Sequence, residues 1–172
     1  SSWPKARRPF QTDRLMELLD QWPVPSKDLL ADQVEALQGT ESGAHPFAPV
    51  LRSKGFTWCT SEPFNRVEWV HAGKHLGMSD EGRWWSTYSD AELREFLDAA
   101  EMEEVKKEFE GEFGDCRNEL VFIGIDLNKD AIRSEMERCL VTDEELENFL
   151  VEIKKSEIGQ GLGWGSAAAS GI

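Results

Sequence analysis

The period of the hydrophobic positions changes several times along the chain, and each change marks an element. Leu15, Leu18, Leu19 and Trp22 recur at the i, i+3, i+4, i+7 spacing of one buried helix face. Thr12 stands where a cap belongs and Pro23 ends the run, predicting an amphipathic helix of about three turns. From Val50, "VLRSKGFTWCT" is dense in β-branched and aromatic residues and reads as a strand, with Gly55 a candidate bulge. "RVEWVHAGKHLGM" reads as two strands, Arg66 to His71 and Lys74 to Met78, turning near Ala72 and Gly73.

Further on the period lengthens again. Ser89 with Glu92 is a capping box, and Leu93, Phe96, Leu97 and Ala100 are expected to line one face of a long acidic helix. "ELVFIGID" is apolar at successive positions, as a strand buried on both faces should be, and belongs at the sheet centre beside a first strand, Trp3 to Pro9. Asn128 caps a helix whose Ile132, Met136, Cys139 and Leu140 share a face. Thr142 with Glu145 opens another, carrying Leu146, Phe149, Leu150 and Ile153. The expected fold is α+β: a mostly antiparallel sheet of four to five strands, with helices largely packed on one face.

The chain has 172 residues, 40% of them hydrophobic, enough for one well-buried core. That core is expected over residues 1–155, with 24–49 an insertion. Residues 156–172, "SEIGQGLGWGSAAASGI", read as a flexible tail or as a peptide that a partner orders through Trp164. The formal charge of −14 argues against nucleic acid, because a phosphate backbone would be repelled. No apolar run approaches the roughly 18 to 20 residues of a membrane span. Cys59, Cys116 and Cys139 are widely spaced and include no CxxC, which points to a reducing compartment rather than to a disulfide framework or a zinc ribbon.

Catalytic patterns are sparse. There is no GxxxxGK[ST] loop, no GxSxG elbow and no HExxH, and the glycines at 159, 161, 163 and 165 neither follow a strand nor open a helix. Ten carboxylates against three bases between Asp90 and Glu112 read as a solvated helix face. "WVHAGKH" places His71 and His75 four apart. In a strand and turn they stand on opposite arms of a hairpin, as a packing or hydrogen-bonding pair. The alternative is an incomplete zinc or cobalt clamp, completed by a cysteine or a carboxylate, since zinc takes three or four ligands. Arg52, Lys54, Arg83 and Arg117 stand out in so acidic a chain, either holding a partner's carboxylates or pairing internally. Of Trp84 and Trp85 in "GRWW", one belongs in the core and the other is a candidate interface anchor beside Arg83. Arg52, Lys54, Arg83, Trp84 and Trp164 are thus the candidate partner-binding residues.

"ARRPFQTDRL", "PVLRSKGFTW", "WVHAGKH", "GRWW" and "GDCRNELVFIGIDLNKDAI", followed by "CLVTDEEL", occur in an order that resembles the C-terminal domain of CobW-family proteins. The resemblance runs from Ser1 to about Asn148, and HAGKH is similar to algal and plant forms. Thr57 stands where the family commonly has an aromatic, and Cys116 where it has an arginine. The resemblance implies a setting among P-loop GTPases linked to zinc or cobalt delivery, in which a GTPase domain with Walker and CxCC motifs precedes this region. It implies a non-catalytic, protein-binding domain whose partner is a CobW-type GTPase domain, a metal client or a larger assembly. The implied compartment is the plastid or cytosol of a photosynthetic eukaryote.

Overall fold

Residues 2–30, 45–162 and 164 are described by the structure, a computed structural model. In chain order the elements are β1 (Ser2–Ala6), α1 (Thr12–Gln21), β2 (Ser26–Asp28), β3 (Val50–Cys59), β4 (Glu62–Ala72), β5 (His75–Arg83), α2 (Asp90–Phe96), α3 (Ala99–Lys107), β6 (Asn118–Gly124), α4 (Lys129–Cys139), α5 (Asp143–Ile153) and α6 (Glu157–Gln160). One sheet runs β1-β6-β3-β4-β5-β2. Its neighbours are antiparallel except β2, which lies parallel to β5. The mostly antiparallel α+β expectation holds, with β2 as a strand more than the four to five expected. That strand lies inside the expected insertion, of which residues 31–44 fall outside the described residues. The insertion's far end is also built in, since Phe47 is buried and its carbonyl accepts from Trp22 Nε1 at 3.0 Å.

Two apolar clusters sit on opposite faces of the sheet because side chains alternate along each strand. On the first face Val67, Trp69, Leu76, Leu120 and Phe122 meet α1 through Leu15, Leu18 and Leu19, and α4 through Ile132 and Met136. On the second face Trp58 meets Phe113 and Phe149 at ring separations of 5.3 and 5.9 Å, with Trp84 and Ile153 beside them. This second cluster covers only one end of its face. At the other end β6 buries Leu120 and Phe122 but leaves Ile123 53% exposed, so the strand is not buried on both faces as its unbroken apolar run implied.

Several local expectations shift for identifiable reasons. Gln11, not Thr12, caps α1, accepting the Arg14 N–H at 2.7 Å, because the Thr12 hydroxyl is engaged with Ser61. Gly55 is not a bulge: β3 runs in register through it, with Lys54 opposite Val70, Gly55 opposite Trp69 and Phe56 opposite Glu68. Its glycine serves close approach, since a Cβ there would lie 1.9 Å from the Glu119 carbonyl of β6, and its φ is +148°. The long acidic helix breaks into α2 and α3, because Asp98 forms a second capping box with Glu101 and starts a new helix. Of the face expected there only Leu93 is buried, and Phe96 is 60% exposed. β1 ends at Ala6, short of Pro9, after pairing with β6 as expected. Past residue 155, where the tail was expected to begin, the chain forms the capped turn α6, and Trp164 packs on Trp58 at 5.6 Å.

Arg14 ties three helices together. Its guanidinium grips Glu145 in a fork at 2.7 and 2.8 Å and also donates to the Arg138 and Leu140 carbonyls. The Arg14 hydrogen bond, then the Thr142 N–H, hold the Glu145 carboxyl at a pKa of about 2. A carboxylate depressed in the folded state stabilises above its unfolded pKa, near 4.5, and that stability is lost as pH falls toward about 2. Glu145→Gln is therefore expected to lower stability at neutral pH and to flatten the acid limb of a urea-midpoint profile. A slope between pH 5 and 2 equal to that of the parent chain would refute this assignment.

Candidate functional site

The β4–β5 hairpin decides what the two histidines can do. Ala72 pairs with His75 and His71 with Leu76 across a turn at Gly73 and Lys74, where Gly73 adopts φ +57°. Paired residues share a face and successive residues alternate, so His71 points with Trp69 into the first cluster while His75 belongs to the other face. His71 is 2% exposed, and its ring centroid lies 4.4 Å from that of Trp22. Its Nε2–H donates to the Gly73 carbonyl at 3.1 Å, which leaves Nδ1 the unprotonated nitrogen. That nitrogen has no partner among the described residues. His75 is exposed, with Nδ1 2.9 Å from Ser26 Oγ on β2.

Burial lowers the pKa of His71, the Gly73 bond offsetting this in part, and burial likewise lowers that of His45. The unfolded chain takes these protons near pH 6.5, whereas the folded chain takes them only at lower pH. Their contribution is therefore fully present above pH 6.5 and lost as the solution becomes more acidic. His71→Phe is expected to remove part of the fall in urea midpoint between roughly pH 8 and pH 5, the remainder belonging to His45. An unchanged profile would show that His71 titrates alike in both states.

The cysteines do not complete a clamp. All three are buried. Desolvation pushes Cys59 up to about 12 and Cys139 to about 11, and raises Cys116 well above the usual thiol range. The thiolate is the ligating form, so these thiols are poor ligands. Among the described residues no three of His, Cys, Asp and Glu converge on one point. His71 and His75 diverge across the sheet, and these residues do not fit a zinc or cobalt centre.

The candidate partner contacts divide. Arg83 is turned inward: its Nε and Nη2 donate to Thr87, and its guanidinium lies 4.0 Å over the Tyr88 ring. Trp84 is 2% exposed, and its neighbour Trp85, at 38%, is the outward one. Trp164 stacks edgewise on Trp58 and Phe113. Arg117 is claimed by Glu108 and Glu119 at 3.1 Å each.

Of the charged candidates, Arg52 and Lys54 remain outward, on the open end of the second sheet face. There Arg52 pairs with Ala72 on β4 and Ile123 on β6, and Lys54 pairs with Val70 and Val121. The result is two cations along the middle strand, flanked on both sides by apolar side chains. Val70 and Ile123 are 45% and 53% exposed, and Leu51, at an irregularity in the β3–β6 ladder, is 54% exposed. The unbroken apolar run of β6 reads as a strand buried on both faces, so it gives no sign that Ile123 stays exposed.

Residues 3–140 match the family described as the cobalamin synthesis protein cobW C-terminal domain. The chain belongs to the CobW C-terminal domain family. The zinc-regulated GTPase metalloprotein activator 1 of Dictyostelium discoideum is 36% identical to this CobW C-terminal domain over 143 residues, covering 83% of the chain and 25% of the relative. The chain thus spans a quarter of that protein's length. No solved structure matches it. The family match ends at Leu140, so α5 and Trp164, which complete the second cluster, lie beyond the matched residues.

Proposed function

We propose that this CobW C-terminal domain is a non-catalytic, partner-binding module in metal homeostasis, engaging a zinc-handling GTPase module or its client. The relative named as a zinc-regulated GTPase metalloprotein activator supports the metal link. The observation that carries the interaction reading is the open end of the second sheet face, where apolar side chains frame Arg52 and Lys54. Exposed apolar surface of this kind marks contact sites on soluble domains. The metal-binding alternative would require His71 to leave the core beside Trp22, and the reading therefore assigns zinc to the partner.

The test combines the chain with the remaining three quarters of the Dictyostelium relative and measures complex formation by sedimentation, together with GTP hydrolysis and bound zinc. A complex is expected, with no hydrolysis and no stoichiometric zinc contributed by the chain alone. His71→Ala and His75→Ala should leave zinc content unchanged. Stoichiometric zinc on the isolated chain, lost in His71→Ala, would overturn the reading in favour of a metal site.

A further inference from the structure

We infer that the open end of the second sheet face is a docking surface for an acidic amphipathic helix of a partner protein. The inference rests on the interaction reading above and specifies the chemistry of the occupant.

The argument begins with the covered part of the same face. Moving along β3 from the open end, the next outward residue is Phe56, paired with Glu68 and Glu119. The Arg66 and Arg117 guanidiniums lie 3.8 and 4.9 Å from its ring centroid. Each of those cations is answered by carboxylate: Arg66 by Glu81, and Arg117 by Glu119 and by Glu108 just past the end of α3. Val105 and Glu104 of α3 line the same cleft with Arg66 and Arg117. Beside the covered part of this face, therefore, the end of an acidic helix brings a half-buried valine and the Glu108 carboxylate to a cleft lined by arginines.

The open end repeats the receiving half of that arrangement without the giving half. Arg52 and Lys54 form no ion pair among the described residues, although the chain carries 33 acidic side chains against 19 basic ones. Val70, Val121 and Ile123 flank them on the two neighbouring strands. An apolar or basic occupant would strip water from two cations and offer no counter-charge, which is costly. An occupant with a central ridge of Asp or Glu and apolar shoulders satisfies both components.

Charge also decides between classes of occupant. An anionic membrane or a nucleic acid presents negative charge over a wide area, and a chain of net charge −14 with only two free cations at this patch would be repelled by it. A single helix touches the patch alone. Beyond about 8 Å at physiological salt the remaining carboxylates are screened from it.

The experiment titrates the full chain, labelled with nitrogen-15, with a synthetic helical peptide bearing leucine on one face and glutamate along its centre. Saturable shifts are expected in the amides of Leu51, Arg52, Lys54, Val70, Val121 and Ile123. Arg52→Glu with Lys54→Glu should weaken the peptide at least tenfold, as should glutamine in place of the peptide's glutamates. Both exposed positions leave the fold intact, which far-ultraviolet circular dichroism verifies. The inference is overturned if the peptide shifts none of these amides at about 1 mM, or if the double reversal leaves affinity within twofold. It is equally overturned if the face is occupied instead by a second copy of the chain or by anionic vesicles. Loss of peptide binding alongside an intact complex with the GTPase module would remove this inference and leave the interaction reading standing.

Discussion

Gly55→Ala is expected to cost at least about 4 kcal/mol, a large part of what holds a domain of this size together. The added Cβ would sit 1.9 Å from the Glu119 carbonyl oxygen and 3.0 Å from the Leu120 Cα, and both are backbone of a neighbouring strand that no rotamer change can move. The φ of +148° adds strain of its own for any residue with a side chain. Relief requires β3 and β6 to separate in the middle of the sheet, where six paired positions join them. Thermal unfolding by circular dichroism should show a loss of at least roughly 10 °C. A midpoint within about 3 °C of the parent would mean that the strands are not so closely apposed.

Trp58→Ala is expected to cost about 3 to 5 kcal/mol, the range for emptying a packed aromatic site. Trp58 is fully buried, its ring is edge-on to Phe149 and Trp164 and tilted against Phe113, and its Nε1–H donates to the Pro63 carbonyl at 2.9 Å. The loss has a direction as well as a size. Phe149 and Ile153 of α5 and Trp164 rest on this cluster, so limited proteolysis of the variant should cut the segment after Ile153 first. Trp85→Ala serves as the control, expected to cost less than Trp58→Ala because its ring is 38% exposed and lies outside the second cluster. Equal urea midpoints for the two variants would contradict the second-cluster assignment.

Local chemistry was the most legible part of the sequence. The capping boxes at Ser89 and Thr142, the Asn128 cap and the hairpin turning at Gly73 all stand where their residue types place them, because a cap or a turn is satisfied by groups within four residues. Whatever depended on a distant partner was less legible. Thr12 has a good capping side chain, but Thr60 and Ser61, 48 and 49 residues along the chain, take it, and Gln11 caps instead. Gly55 carries no local mark distinguishing a bulge from a close approach, since that depends on Glu119.

The candidate site was read only in part for the same reason. The divergence of His71 and His75 follows from strand parity once the turn is known, and Arg52 and Lys54 stand out by charge alone. Trp84 and Trp85 could be divided only in principle, because which of them faces in depends on the second cluster, built from segments as far along the chain as Trp164. The exposed Leu51, Val70 and Ile123 are ordinary core residues by type. Nothing within their own strands announces that the covering layer stops short of them.

The placement of β1 bears on how the chain comes to be made. β3, β4 and β5 follow one another as a meander and can pair as soon as they are synthesised. β1, although made before the meander, must wait for β6, and Arg14 meets its carboxylate only after a separation of 131 residues. Such distant pairings close late and slow the search for the native state. On the ribosome the meander would stand with an unpaired β3 edge until Asn118–Gly124 arrives to fill it, and β1, made before any of these strands, is the last that this sheet admits.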